Sequence, residues 1–316
     1  MATSFIERTR TSIREIAGEP SIHAKYTDAR LLTWIEQAYS HIILEINRRS
    51  ANPIVLPFTI ALDADLLLYV LPPTVQRIID LELLNSDGNT IGYTMPSSRY
   101  NPGGPGVTLE HNCIRFWNDP VDGYSLRVWY VPSGCVRLHT GSIASDASIV
   151  NSTTLNTCTV VLPATPTTGT LDNRPNAYIG SVFRVLSATT KDYVQERMIT
   201  AYDVTTRTIT VSPCFETALL PGATVVYEIA PPVEQAVDIA VATYVARTLC
   251  ALEGERDRMA TLSSLYQEQI RDLIDQNKWM NAMTEGLKRD SRFARGRTIP
   301  SAAPGLNSTS RAVVGT

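Results

Sequence analysis

The chain has 316 residues, of which 44 % are apolar and 19 % charged, and its formal net charge at neutral pH is −3. This composition excludes wholesale disorder and predicts about two domains with a substantial core. The slightly acidic balance disfavours a nucleic-acid binder that relies on overall positive charge. The sequence has no run of about 18 uncharged apolar residues, so we expect no membrane span. Charges within Met1–Arg14 argue against a signal peptide.

Two helices are predicted near the start of the chain. The first has a short apolar face from Phe5 to Ile16 and ends at Gly18. Thr27 is the expected N-cap of the second helix, whose apolar residues recur at intervals of three and four. Those residues are Leu31, Trp34, Ile35, Ala38, Tyr39, Ile42, Ile43 and Ile46.

From Pro53 to Val131 the pattern changes to short β-rich runs separated by proline, glycine and asparagine. The segment Asn85–Asn89 predicts a tight turn between two strands. We also expect Thr108–Trp117 to pair with Tyr124–Val131 across a hairpin at 118–123. The other strands predicted in this region are 58–62, 67–71, 76–84 and 90–93.

Residues 132–230 form a second β region with a different composition. The run from Ser142 to Thr170 is rich in serine and threonine, which favours exposed strands and loops at the periphery. Asp203–Thr206 predicts a hairpin turn further along the chain. The strands expected around it are 178–187, 195–202, 207–211 and 224–229. We therefore expect a small antiparallel sandwich or barrel inserted into the chain.

Helical periodicity returns after Pro231-Pro232, with Pro232 in the first turn, and continues towards Trp279 with Gly254 as a weak point. From Leu287 to Thr316, six basic residues against one aspartate give a net charge of +5, which leaves −8 for the rest. The sequence thus predicts an α+β fold in four parts. These are a discontinuous helical bundle (1–52 and 231–286), an antiparallel β domain (53–131), a second, sandwich- or barrel-like β insertion (132–230) and an extended C-terminal arm (287–316).

Catalytic and metal-binding patterns are missing from the sequence. The histidines lie far apart, at His23, His41, His111 and His139, without metal-ligand spacing. The cysteines are odd in number and widely spaced, at 113, 135, 158, 214 and 250, which fits a reducing compartment better than a disulfide framework. Gly103–Gly106 lacks the Lys-Ser/Thr of a phosphate loop. We therefore expect no cofactor, no metal and no enzymatic activity.

Four segments, taken in order along the chain, are similar to those of one known family. They are YTDARLLTWIEQAY at 26–39, LPPTVQRII at 71–79, FWNDP at 116–120 with LRVWY at 126–130, and APPVEQAV at 230–237. In this order they resemble the head-to-tail adaptors of tailed bacteriophages, the neck or head-completion proteins that bind beneath the portal. The resemblance covers 1–131 and 230–295 and rests on the pattern of residue types rather than on catalytic or ligand-binding residues. Residues 132–230 depart from the family's minimal pattern.

Membership would imply a ring, usually of twelve copies, in the virion neck, assembled in the host cytoplasm between the portal and a tail, nozzle or tail-hub protein. DNA would pass through the lumen without sequence-specific binding, and an acidic body would repel its backbone. Exposed aromatic residues on the helices are the candidates for subunit contacts: Trp34, Tyr39, Tyr244 and Trp279. The candidates for ordering against the portal lie in the arm: Lys288, Arg289, Arg292, Phe293, Arg295 and Arg297.

Two other classes of function stay open at this point. One is another virion component, such as a tail-tube, baseplate or fibre-attachment protein. The other is a hydrolase that acts on the cell wall or a polysaccharide through carboxylates of the β insertion, although no acidic pair stands out there.

Overall fold

The computed structural model describes residues 4–18, 25–50, 53–94, 106–144, 149–152, 157–188, 195–213, 215, 224–233 and 237–275. Over these residues the fold is α+β, as the sequence predicts, with β insertions between helices. The helices are α1 (Phe5–Ala17), α2 (Asp28–Arg49), α3 (Asp238–Glu253) and α4, which runs from 256 to 275, where the described residues end. The predicted arm at 287–316 and Trp279 lie outside the described residues.

The strands fall into two groups along the chain. The first group is β1 (Leu56–Ala61), β2 (Leu68–Val70), β3 (Val75–Leu84), β4 (Thr90–Thr94), β5 (Val107–Glu110), β6 (Cys113–Phe116) and β7 (Ser125–Pro132). The second is β8 (His139–Ala144), β9 (Ile149–Ser152), β10 (Thr157–Val161), β11 (Val182–Ala188), β12 (Gln195–Asp203), β13 (Thr208–Ser212) and β14 (Thr224–Ala230).

Local capping residues set the ends of the first two helices. Ser4 accepts a hydrogen bond from the amide of Glu7 at 3.0 Å, and Gly18 closes α1 in the left-handed conformation. Thr27 caps α2, as the sequence predicts. The prediction that helix resumes at Pro232 is wrong, because α3 begins at Asp238. Proline is tolerated in a first helical turn but does not itself start a helix, whereas Asp238 places a negative charge in the first turn of α3, where the helix dipole favours it.

The helical unit is built from both ends of the described chain around one apolar core. Seven of the eight periodic residues predicted on α2 are buried in it, and Trp34 packs against its border. α3 contributes an almost wholly apolar segment, which suits a helix covered by α1 and α2 on separate sides. The largest fully buried side chains of this core are Phe5, Ile6, Ile13, Leu31, Ile35, Tyr39, Ile42 and Tyr266.

The first β unit contains two antiparallel sheets that share one hydrophobic core. One has the order β1-β7-β3-β4 and the other β2-β6-β5. The expected pairing of Thr108–Trp117 with Tyr124–Val131 is wrong. The chain turns back at His111, with φ of 55°, so that β5 and β6 pair with each other. β7 instead lies between β1 and β3, where its alternating side chains reach the core.

The second β unit is one curled antiparallel sheet with the order β8-β14-β11-β12-β13-β10-β9. The turn at Asp203–Thr206 joins β12 to β13, as predicted. The Ser/Thr-rich region is less exposed than expected, because Cys158, Val160 and Leu162 are buried in the core of this sheet. Threonine alternates with these residues on β10, so only every second side chain reaches the core.

A connecting segment at 133–138 attaches the first β unit to α2. Gly134 adopts φ of +71°, and a Cβ atom there would lie 2.8 Å from the Cα atom of Ser40 and 2.9 Å from the Cβ atom of Ile43. Val136 and Leu138 then enter the helical core. The turn therefore rests directly on the α2 backbone, which leaves no space for a side chain.

We expect Gly134→Ala to destabilise the protein more than Gly123→Ala does. Both glycines have positive φ, so both substitutions cost about 1 kcal/mol of backbone strain, but a Cβ at Gly123 would meet nothing within 4 Å. The clash with α2 adds about 2 kcal/mol for Gly134 alone. Urea denaturation of the two variants measures this difference, and equal free energies of unfolding would contradict the close approach.

Candidate interaction surfaces

Trp34, a predicted subunit-contact residue, is half-buried on α2 in a small cluster of rings and cations. Its ring meets that of Tyr26 edge-on with centroids 5.3 Å apart. The Arg30 guanidinium lies 4.8 Å from the centre of the Trp34 ring and 5.6 Å from that of Tyr26. Tryptophan and arginine are enriched in protein interfaces, so this cluster is a candidate contact.

Tyr244, the second predicted contact residue, is half-buried on α3 in a separate cluster. Its ring centroid lies 4.9 Å from that of His41 and 5.4 Å from that of Tyr266. The Arg247 guanidinium lies 4.6 Å from the Tyr244 ring and 5.1 Å from the Tyr266 ring. The Tyr266 hydroxyl donates to Glu45 at 2.6 Å, which joins α4 to α2 beneath the cluster.

Tyr39 is not available for a subunit contact. Its side chain is 1 % exposed and belongs to the helical core, so the expectation of an exposed aromatic is wrong at this position. The reason is its register, because it lies on the apolar face of α2 among Ile35, Ile42 and Ile43. The remaining candidates, Trp279 and the arm residues between Lys288 and Arg297, lie outside the described residues.

Within the described part of the chain, no three His, Cys, Asp or Glu side chains are grouped so that they could hold a metal ion. His41 and His111 are exposed and His139 is buried, in three different elements. No helix of the described residues is long and apolar enough to cross a membrane.

A buried carboxylate joins the helical unit to the second β unit. Glu228 of β14 is fully buried and accepts hydrogen bonds from the amides of Phe5 at 3.0 Å and Ile6 at 2.9 Å, the first residues of α1. It also accepts one from Arg184 of β11 at 3.0 Å, and Arg184 contacts Glu196 of β12 at 2.7 Å. The negative charge thus lies at the positive end of the α1 dipole and satisfies two amides that lack partners within the helix.

A second polar network joins α2 to the same β unit. Glu36 accepts hydrogen bonds from the Leu138 amide at 2.9 Å and from Arg137 at 2.6 Å. Arg174 holds Asp172 through two hydrogen bonds, at 2.9 and 2.6 Å. Burial raises the pKa of the Glu36 carboxyl. Asp172 is also buried, but its hydrogen bonds from Arg174 outweigh that effect and lower its pKa.

His139 lies beside this network among aromatic rings. It is fully buried, with its ring edge-on to those of Tyr178 and Tyr227 at 5.4 and 5.7 Å. Its Nδ1 atom lies 3.4 Å from the Tyr227 hydroxyl, and its Nε2 atom has no hydrogen-bond partner among the described residues. Burial lowers the pKa of His139 to about 3, so the ring is neutral at pH 7.

The most exposed apolar surface of the first β unit lies along β2. Leu66, Leu68 and Val70 are 46, 44 and 57 % exposed, and along β2 the exposed Leu68 and Val70 lie on either side of the buried Tyr69. β2 is an edge strand, since it pairs only with β6. Contiguous exposed apolar side chains on an open sheet edge are characteristic of association surfaces.

The sequence predicts a strand at 67–71 but does not predict that its side chains are exposed. Its run of consecutive apolar residues is equally typical of a strand that is buried on both sides. The exposure follows from the tertiary structure, because among the described residues of this sheet Tyr69 and Ile114 belong to the core while Leu68, Val70 and Leu109 are exposed. The signal available in the sequence was the pair Asp63 and Asp65 directly before the apolar run, which is unusual for a buried strand.

A groove of about 610 Å³ begins at the last residue of β2. Its walls come from the β2–β3 connection, the β5–β6 turn and a loop of the second β unit. It is lined in part by Val70, Pro72, Arg77, Leu109, His111 and Arg174, and none of the described residues that line it is Asp or Glu. The groove is therefore apolar with basic side chains along it.

Comparisons with known proteins do not assign a family. A scan against protein-family models matched none of them. A search of curated proteins returned no match.

Proposed function

We propose that this protein is a structural component of a virion, an adaptor that forms a ring in the neck between portal and tail and continues the DNA channel. The observation that carries the proposal is the exposed apolar strand β2 beside a basic groove. Leu66, Leu68 and Val70 together form a surface suited to association. The described residues gather no cluster able to hold a metal ion.

A ring requires two different faces on each subunit, one of which fits the other on the neighbouring copy. The half-buried clusters around Trp34 and Tyr244 supply aromatic anchors with adjacent arginines, a composition that suits the centre of an interface. The strand β2 and its groove supply further contacts on the first β unit. The order of the four sequence segments that resemble phage adaptors supports the same assignment.

The basic arm is proposed to bind the portal. Lys288, Arg289, Arg292, Arg295 and Arg297 suit an acidic protein surface, and Phe293 provides an apolar anchor among them. The remaining chain carries a net charge of −8, which favours weak, sliding contact with DNA in the lumen.

Deleting residues 287–316 is expected to leave a folded protein that no longer stays on portal-bearing heads. The arm carries a charge of +5 in thirty residues and follows the last described helix, so its loss removes contacts without removing the described cores. Co-sedimentation of heads with full-length or truncated protein measures the effect. A matched control replaces Arg311 alone, outside the proposed contact, and equal retention of the truncated chain would contradict the role of the arm.

The ring itself is tested by counting copies. Electron microscopy of heads with bound protein, together with native mass measurement, is expected to show a short collar of twelve subunits. A trimer or hexamer would favour another virion component, such as a baseplate or fibre-attachment protein. Turnover of a cell-wall or polysaccharide substrate by the purified protein would favour the hydrolase instead.

A further inference from the structure

The turn before β2 presents two carboxylates and two leucines to solvent. Asp63, Asp65, Leu66 and Leu67 are all exposed, and with Ala64 they form what we call the acidic knob, Asp63–Leu67. Asp63 accepts a hydrogen bond from the Asp65 amide at 3.0 Å. The Leu66 amide bonds to the Asp63 carbonyl at 3.1 Å. The knob is therefore a defined turn and not a loose loop.

Tyr69 fixes the base of the acidic knob. Its hydroxyl accepts a hydrogen bond from the Asp63 amide at 2.8 Å and donates one to the Asp63 carbonyl at 3.1 Å. The Tyr69 ring is buried against Phe116, with centroids 5.6 Å apart. A protruding element held this firmly loses little conformational entropy when it binds.

The groove at the other end of β2 has the complementary chemistry. Arg77 is exposed, and no carboxylate of the described residues pairs with it. Arg174 also lines the groove, but its guanidinium is paired with Asp172, so among the described residues Arg77 supplies the unpaired positive charge. Val70 and Leu109, at 57 and 40 % exposed, provide the apolar part. The groove thus suits an occupant that carries both carboxylates and leucines.

We propose that the acidic knob of one copy docks into this groove on the next copy of the same chain. Asp65 would lie against Arg77, and Leu66 would cover the apolar wall around Val70. The inference rests on the proposed ring and names one of its subunit contacts. The basic C-terminal arm is a poorer occupant, because its charge of +5 would be repelled by Arg77 and Arg174.

The knob and the groove lie close together on the first β unit. The knob precedes β2 and the groove begins at its last residue, so they lie at the two ends of a strand of three residues, about 10 Å apart. Such a pair of elements associates either reciprocally in a closed dimer or head to tail in a ring. The proposed ring requires the head-to-tail arrangement, and a dimer that both single charge reversals disrupt would overturn it.

Charge reversal tests the contact. Asp65→Arg and Arg77→Asp are each expected to raise the concentration needed for half-assembly roughly tenfold, because each places like charges together. The double variant carries both reversals in every copy and restores opposite charges across the contact, so it is expected to assemble like the wild type. Native mass spectrometry of the full-length protein, and subunit counting on portal-bearing heads, provide the measurement.

Two further variants separate this contact from general effects. Asp87→Arg makes the same charge change in the exposed turn between β3 and β4 and is expected to leave assembly unchanged. Leu66→Ser removes apolar surface from the knob and is expected to weaken assembly without changing charge. Circular dichroism and a thermal melt of each variant establish that it folds.

The outcomes distinguish this inference from the proposed function. If the wild type forms rings and both single reversals assemble equally well, the knob-in-groove contact is wrong and the adaptor proposal stands. If the wild type forms no ring either free or on heads, the proposed function itself fails. A reversal at Arg77 that blocks binding of a tail protein but not ring formation would assign the groove to that partner and overturn the inference.

Discussion

Replacing Glu228 by alanine is expected to destabilise the protein by about 3–5 kcal/mol, the usual cost of removing one partner from a buried ion pair. The substitution takes from the buried Arg184 the carboxylate that lies 3.0 Å from it, whereas Glu196, which it also contacts, is half-exposed. It also removes the hydrogen-bond acceptor of the Phe5 and Ile6 amides at the start of α1. Because Glu228 contacts both the helical unit and the β sheet, its loss is expected to affect both.

The matched control is Glu196→Ala. Glu196 contacts the same arginine at 2.7 Å, but its side chain is half-exposed, so we expect its loss to cost no more than about 1 kcal/mol. Glu228→Gln keeps one acceptor oxygen but replaces the other by an NH2 donor, so it loses the charge and leaves one of the two helix amides without its acceptor; it is expected to lie between the two. Urea denaturation followed by circular dichroism gives the free energies of unfolding. Equal midpoints for the Glu228 and Glu196 alanine variants would refute the anchoring role.

Acidification is expected to weaken the fold through His139. The pKa of this ring is lowered from 6.5 to about 3 by burial, so the folded state favours the neutral form. The contribution of neutral His139 to stability is complete above pH 6.5 and is lost progressively as the pH falls towards 3. Between pH 6.5 and pH 4 the loss amounts to about 3 kcal/mol.

The His139→Gln variant isolates this effect. It is expected to be less stable than the wild type at pH 7, because it disrupts the packing against Tyr178 and Tyr227. Its free energy of unfolding is nevertheless expected to fall less steeply with decreasing pH. His41→Gln, at an exposed position on α2, is the control for the substitution itself and is expected to change the stability at pH 7 much less. Parallel pH profiles for wild type and His139→Gln would contradict the buried neutral ring.

The helix ends and the turns were predictable from the sequence because they depend on neighbouring residues. Ser4, Gly18 and Thr27 cap α1 and α2 through contacts within a few positions of themselves. The periodic apolar stripe of α2 predicts its buried face for the same reason. The turn residues at Asn85 and Asp203 bond to amides two to four positions away.

The candidate surfaces were predicted only in part. Trp34 and Tyr244 lie half-exposed at the border of the helical core, but Tyr39, on the same periodic stripe, is buried. The spacing of residues in the sequence predicts that all three lie on helices, but it does not predict which neighbouring element covers each side chain. The exposed face of β2 and the groove beside it could not be predicted from residue spacing, because their side chains come from β2, β3, β5 and a loop of the second β unit.

The α+β class, the caps and apolar stripes of the helices, and the acidic body with its basic arm could all be inferred from the order of the residues. Three other features emerge only when the chain is folded: β7 pairs with β1 and β3, Glu228 caps α1 from more than two hundred residues away, and His139 is buried. The physical reason is the range of the interactions. Capping and periodicity act over a few residues, whereas strand pairing, burial and charge pairing depend on which distant surfaces exclude water between them.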